Sequence, residues 1–111
     1  MYEAKAHSLI PVATGDLRSF FGVQDFVKTA PLDIAYVSNF SKIKSNDNDE
    51  TKLTWTSAAV GFIAQNVYLY CASQNLGCVV RGLIDKPKLA EVLKLRPDQK
   101  IILSQTVGYI K

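Results

Sequence analysis

Lys52-Leu53-Thr54-Trp55-Thr56-Ser57-Ala58-Ala59-Val60-Gly61-Phe62-Ile63-Ala64-Gln65-Asn66-Val67-Tyr68-Leu69-Tyr70-Cys71-Ala72-Ser73-Gln74-Asn75 is the stretch whose reading decides the fold. It has the length of a long helix and is apolar nearly all round, and no charged residue occurs from Leu53 to Val80. That is long enough to cross a bilayer as a helix. Against a span stand Thr54, Thr56, Ser57, Ser73, Gln74 and above all Gln65 and Asn66, whose amides are costly in hydrocarbon but easily satisfied against protein. The stretch therefore predicts a buried helix from about Lys52 to Asn75, stopped by Gly77. A helix apolar on every side is covered on every side, which a small domain rarely achieves alone. Ser57, Gly61 and Gln65 follow at four-residue spacing and form a narrow stripe, readable as an internal packing groove or as a subunit interface.

Downstream, Cys78-Val79-Val80 reads as a short buried strand closed by Arg81-Gly82. Asp85 caps a helix with Pro87 in its first turn and Leu89, Val92 and Leu93 on one face, ending before Arg96-Pro97. Lys100 to Tyr109 is the last strand. Upstream, the run Ser45-Asn46-Asp47-Asn48-Asp49-Glu50 is a solvated connection whose acids suit a helix N-terminus. Ala30-Pro31 forces an extended entry into a strand over Leu32 to Ser38. Thr14-Gly15-Asp16 offers cap chemistry for a helix holding Leu17, Phe20 and Phe21, interrupted at Gly22, with a further turn over Asp25 to Lys28. Tyr2 to Val12 reads as two short strands around a turn near Ala6 and His7. The order is β-hairpin, α, β, α, β, α, β in one domain spanning residues 1–111.

The 111 residues are 48% hydrophobic and 21% charged, the composition of an ordinary globular domain. A net charge of +3 with scattered basic residues excludes a nucleic-acid or anionic-membrane partner as the expectation. Cys71 and Cys78 fit neither Cys-x-x-Cys nor a zinc-ligand pair, and their apolar surroundings read as buried reduced thiols. His7 is alone in a polar stretch, so neither a metal site nor a His-based triad is expected. The acidic run at 45–50 lacks the glycine and distal Glu of a calcium loop. No apolar segment follows the charged N-terminus, which makes the cytoplasm the expected compartment. No phosphate loop or catalytic side-chain constellation is visible.

The segments Gly61-Phe62-Ile63-Ala64-Gln65-Asn66-Val67-Tyr68-Leu69, Leu76-Gly77-Cys78-Val79-Val80-Arg81-Gly82, Leu89-Ala90-Glu91-Val92-Leu93-Lys94-Leu95 and Val107-Gly108-Tyr109 together resemble the C-terminal half of the nitroreductase family, closest to its SagB-type dehydrogenase branch. The likeness extends upstream through Val23-Gln24-Asp25-Phe26-Val27 and Ala30-Pro31 to the Tyr2 hairpin. It implies an α+β fold, a mixed β-sheet flanked by helices, in an intertwined homodimer. It also implies an FMN-dependent oxidoreductase taking hydride from NAD(P)H and passing electrons to nitroaromatic or quinone-like acceptors. Since the flavin carries the chemistry, no catalytic side chain is required. By the same resemblance the backbone at Arg81, Gly82 and Leu83 supplies donors to the flavin ring edge, and Lys111 is a candidate for the phosphate. The long helix becomes the dimer core, with Ser57, Gly61, Phe62, Gln65, Tyr68 and Leu69 at the interface. The family's Arg-x-Ser-x-Arg phosphate motif is not in this sequence, so a non-catalytic dimerisation scaffold is the alternative reading.

Overall fold

Two short strands, β1 (Tyr2–Glu3) and β2 (Ser8–Leu9), pair antiparallel with Tyr2 opposite Leu9. The computed structural model describes residues 1–111 throughout. The Glu3 carboxylate holds the intervening turn by accepting from the N–H groups of Lys5 and Ala6 at 3.1 and 2.7 Å. The hairpin lies where the alternation placed it. The helix expected after Asp16 does not form; a single 3-10 turn, Arg18–Phe20, replaces it. The Arg18 guanidinium binds back to Asp16 at 2.6 Å and to the Ala30 carbonyl at 2.9 Å, so the segment folds onto its neighbour instead of propagating a helix. The further turn at Asp25–Lys28 is present.

Strand β3 (Leu32–Asn39) follows Pro31 and leads through a 3-10 turn at Phe40–Lys42 to the long helix α1, Asp49–Ser73. The helix starts three residues before the expected Lys52 because Asn48 caps it, its side chain accepting from Thr51 N–H at 2.8 Å. Asp49 and Glu50 then sit in the first turn, where the helix dipole favours them. Gly77 is not the stop. Asn75 makes the reversal at φ 55°, a left-handed conformation asparagine tolerates, and Gly77 lies inside the next strand. That strand is β4 (Leu76–Arg81); helix α2 (Lys86–Val92), capped by Asp85 with Pro87 in its first turn, joins it to β5 (Gln99–Tyr109).

The main sheet has the order β3-β5-β4, antiparallel at both ladders, so the last strand is the central one. Between Tyr36 and Val37 the register slips by one residue, leaving Ile102 as a bulge. Ile102 and Leu103 then both reach the core formed by Tyr36, Val60 and Ala64. On the same face Gln105 is fully buried. Its amide nitrogen donates to the Ala64 carbonyl at 3.2 Å and to Cys78 Sγ at 2.9 Å, while its oxygen accepts from the Tyr36 hydroxyl. The opposite face of β5 turns Ser104 and Thr106 toward the 3-10 turns, and Ser104 Oγ donates to the Phe21 carbonyl at 2.8 Å. The fold is α+β, and no helix is long and apolar enough to cross a membrane.

Replacing Gln105 with Leu strands the buried Tyr36 hydroxyl without its acceptor. Urea unfolding is expected to show a loss of about 2–3 kcal/mol, against less than half of that for Gln99→Leu at the less buried start of the same strand.

Candidate functional site

The end of β4 is built around a side chain that never reaches solvent. Arg81, the last residue of the strand, is 4% exposed and pairs with Asp33 on β3, itself 1% exposed, at 3.2 Å. Both share a hydrogen-bond cluster with Thr106 Oγ1 on β5. The guanidinium carbon lies 5.6 Å from the centre of the Phe26 ring. Gly22 is required here, because a Cβ at that position would stand 2.2 Å from Arg81 Nη1. Arg81 therefore contributes to the candidate site through its backbone position and not through its charge.

Immediately after it, Gly82 and Leu83 are exposed. Their backbone N–H groups have no acceptor within the chain, by backbone or by side chain. A Cβ on Gly82 would meet only Leu103 Cδ2, at 3.8 Å, so the outer side of this turn is open to a close approach. Two free adjacent donors on an open turn can bind the polar edge of a flat heterocycle, which is the part of FMN the resemblance assigned to them.

Lys111 lies elsewhere. Leu76 pairs with Tyr109 at one end of the β4/β5 ladder and Arg81 with Ser104 at the other. Lys111 and Gly82 are thus separated by the length of β4, about 20 Å. Lys111 instead borders a groove of about 440 Å³ lined also by Phe26, Pro31, Gly77, Cys78 and Gly108. The four residues expected to hold cofactor are therefore not one constellation: Arg81, Gly82 and Leu83 are contiguous, and Lys111 is apart from them. No cluster of metal-ligating side chains is present.

Within the chain only the sheet-facing stripe of α1 is covered, with Val60, Ala64 and Cys71 buried. Trp55, Ala58, Phe62, Gln65, Leu69 and Ala72 alternate by three and four residues, the spacing of a coiled-coil seam, and all are exposed. Trp55, Phe62 and Leu69 are 68%, 73% and 60% accessible. Of the residues expected at an interface, Phe62, Gln65 and Leu69 lie in this seam. Ser57 and Gly61 flank it, with open space beside Gly61. Tyr68 turns the other way: its hydroxyl accepts from Val80 N–H at 2.6 Å and closes part of the outer edge of β4.

Asp33, Thr106 and Gly22 were not legible as site residues. The available signal is a lone acid at Asp33 and a lone base at Arg81, each set among apolar strand residues, where an unpaired charge is too costly to stand alone.

Across residues 3–109 the chain matches the nitroreductase family. It belongs to that family. A structure from Ralstonia eutropha JMP134, assigned as a nitroreductase, shares 43% identity with a TM-score of 0.89, over 99% of this chain and 52% of its own. A nitroreductase family protein from Streptococcus pneumoniae TIGR4 matches in fold, with 19% identity, a TM-score of 0.65, and 77% and 57% of the two chains covered. A Clostridium acetobutylicum protein assigned as an NADH oxidase has 29% identity and a TM-score of 0.59, covering 77% and 49%. This nitroreductase-family chain spans about half the length of the solved structures it matches. Among curated proteins none matches it.

The two thiols are free, Cys71 buried and Cys78 half-buried. Burial pushes the Cys78 thiol above its ordinary value, and the neighbouring Cys71 thiol adds to the rise, only partly offset by the Gln105 amide. Both are expected to react with an aromatic disulfide reagent at neutral pH roughly tenfold or more slowly than in the urea-unfolded chain, as followed by thiolate release.

Proposed function

We propose that this chain forms the part of an FMN-dependent NAD(P)H oxidoreductase of nitroreductase type that contacts the flavin ring edge and carries the dimer helix. The observation that carries the reading is the pair of unpartnered N–H groups at Gly82 and Leu83, in a chain of this family, on an open turn at the end of a buried strand. Bound FMN would supply hydride acceptance from NAD(P)H and donation to a nitroaromatic or quinone-like acceptor. The protein's part is to hold donors at the ring edge, which backbone amides do without any titrating side chain. Lys111 lies at the other end of the β4/β5 ladder from the Gly82 turn, so within one chain the two do not share one contact point.

The seam of Trp55, Phe62, Gln65 and Leu69 supports a homodimer through α1. Trp55, Phe62 and Leu69 stand more than half accessible along one helix face, and a two-fold axis across the seam would cover them with their own copy. The cytoplasm, where NAD(P)H is available and free thiols such as Cys71 and Cys78 persist, is the compartment that fits. The absence of an Arg-x-Ser-x-Arg phosphate motif from these residues, beside an exposed interface helix, favours one other reading, a dimerisation scaffold that binds no flavin.

A fluorescence titration separates them. Saturable quenching of FMN emission by the purified protein, weakened by Gly82→Pro, is the expected result; no quenching at any protein concentration would leave only the scaffold. For the dimer, sedimentation equilibrium should give twice the chain mass for the native protein and a shift toward monomer for Phe62→Asp. A native protein that stays monomeric at high concentration would rule the homodimer out.

A further inference from the structure

Between Arg81 and Asp85 nothing inside the chain fixes the backbone donors that the proposed site needs. Gly82 has no side chain, and neither its N–H nor that of Leu83 is bonded within the chain. The next anchors are the Ile84 carbonyl, which accepts from Lys86 N–H at 2.9 Å, and the Asp85 cap of α2. The turn is therefore held only at its two ends, by these anchors after it and by Arg81 before it.

We infer that Asp33 is a positioning residue for the Gly82 and Leu83 donors, acting through Arg81; the inference rests on reading that turn as the flavin contact. The clamp draws on every strand of the main sheet. Asp33 of β3 holds the guanidinium at 3.2 Å, Thr106 of β5 bonds to both charged partners, and Arg81 itself ends β4. The Phe26 ring covers one side, and the missing Cβ of Gly22 leaves room for Nη1 on another. A planar guanidinium held by an acid, a hydroxyl and a ring has little rotational freedom, so the side chain tethers the end of β4 in addition to its backbone pairing with Ser104.

Stability is a poor explanation for this pair. Taking both charges out of water costs about as much as their attraction returns, and apolar replacements of similar volume commonly fold as well. Arg81 Nε and Nη1 and Asp33 Oδ2 are buried without any partner, so the cluster is not even fully satisfied. What it does provide is a single orientation for the end of β4.

The test removes both charges together, in Asp33→Leu with Arg81→Met, and is read on backbone dynamics as well as on ligand. The expected result is a melting temperature near that of the native chain, a fall in the 15N heteronuclear NOE at Gly82 and Leu83 with no change along α1, and FMN affinity lowered roughly tenfold. Arg81→Lys should restore the NOE in part. Should the double variant fail to fold, Asp33→Asn, which keeps the shape and one acceptor, is expected to give the same local fall in NOE. Unchanged NOE at Gly82 and Leu83 in whichever of these variants folds would overturn the inference. If the native chain quenches no FMN, the flavin reading fails, while the NOE comparison still decides whether Asp33 positions the turn.

Discussion

Gln105 makes three hydrogen bonds, each to a different element: to Ala64 on α1, to Cys78 on β4 and from Tyr36 on β3. It stands on the central strand, fully buried, and its amide is used in both directions. A buried amide that loses a partner costs more than the bond itself contributes, so the four elements are held to one mutual arrangement and not merely packed together. Apolar contacts among Tyr36, Val60, Ala64 and Ile102 supply the bulk of the drive, but they would tolerate small slips of the helix along the sheet. The amide does not tolerate them. Since the register of β5 against both neighbours depends on the same residue position, the placement of Arg81 opposite Ser104, and hence of the turn that follows, descends from this joint.

Adjacent residues of a strand face opposite sides, so Thr106 necessarily delivers its hydroxyl to the face that Gln105 does not occupy. One short stretch of β5 thus ties the helix on one side and the Asp33–Arg81 pair on the other. The two joints differ in kind. The first is neutral and satisfied, and it contributes to stability; the second is charged, incompletely satisfied, and sits beside the open turn at Gly82. Polar groups left partly unpaired in an interior are costly, and they persist where geometry matters more than stability.

Much of this architecture was legible in the sequence. The hairpin, the β3 strand after Pro31, the long helix, the Asp85-capped helix and the last strand follow from periodicity and cap chemistry, because in each the local preference and the tertiary role agree. Errors arose where they part. Asp16 looked like a helix cap, but Arg18 takes its carboxylate and folds the segment toward Ala30, a contact twelve residues away that no local rule anticipates. Gly77 looked like a helix stop, but its place is set by Gly108 directly across the ladder, and Asn75 does the work of reversal. Tyr68 carries a second role beyond its apolar ring, its hydroxyl accepting from Val80 N–H on the edge of β4. In each case the deciding partner is distant in sequence.

The candidate site was legible only as a position. Backbone donors have no residue signature, and a glycine after a strand marks a turn far more often than a ligand contact. What distinguishes Gly82 is the combination of an unpaired N–H, an unpaired neighbour and a buried anchor one residue before, and each of these depends on the folded chain. In the proposed flavin-binding role no catalytic side-chain cluster is needed. A cofactor that carries its own reactive atoms needs a rigid frame of dipoles around it, and backbone amides at the end of a well-fixed strand meet that need at no cost in buried charge. The buried charge lies one residue away, in Arg81 paired with Asp33, and in the proposed role it holds the end of β4 without entering the chemistry. An inward anchor and an open turn are then two consequences of one arrangement: the side chain of Arg81 is buried, and Gly82, having none, leaves its neighbourhood open.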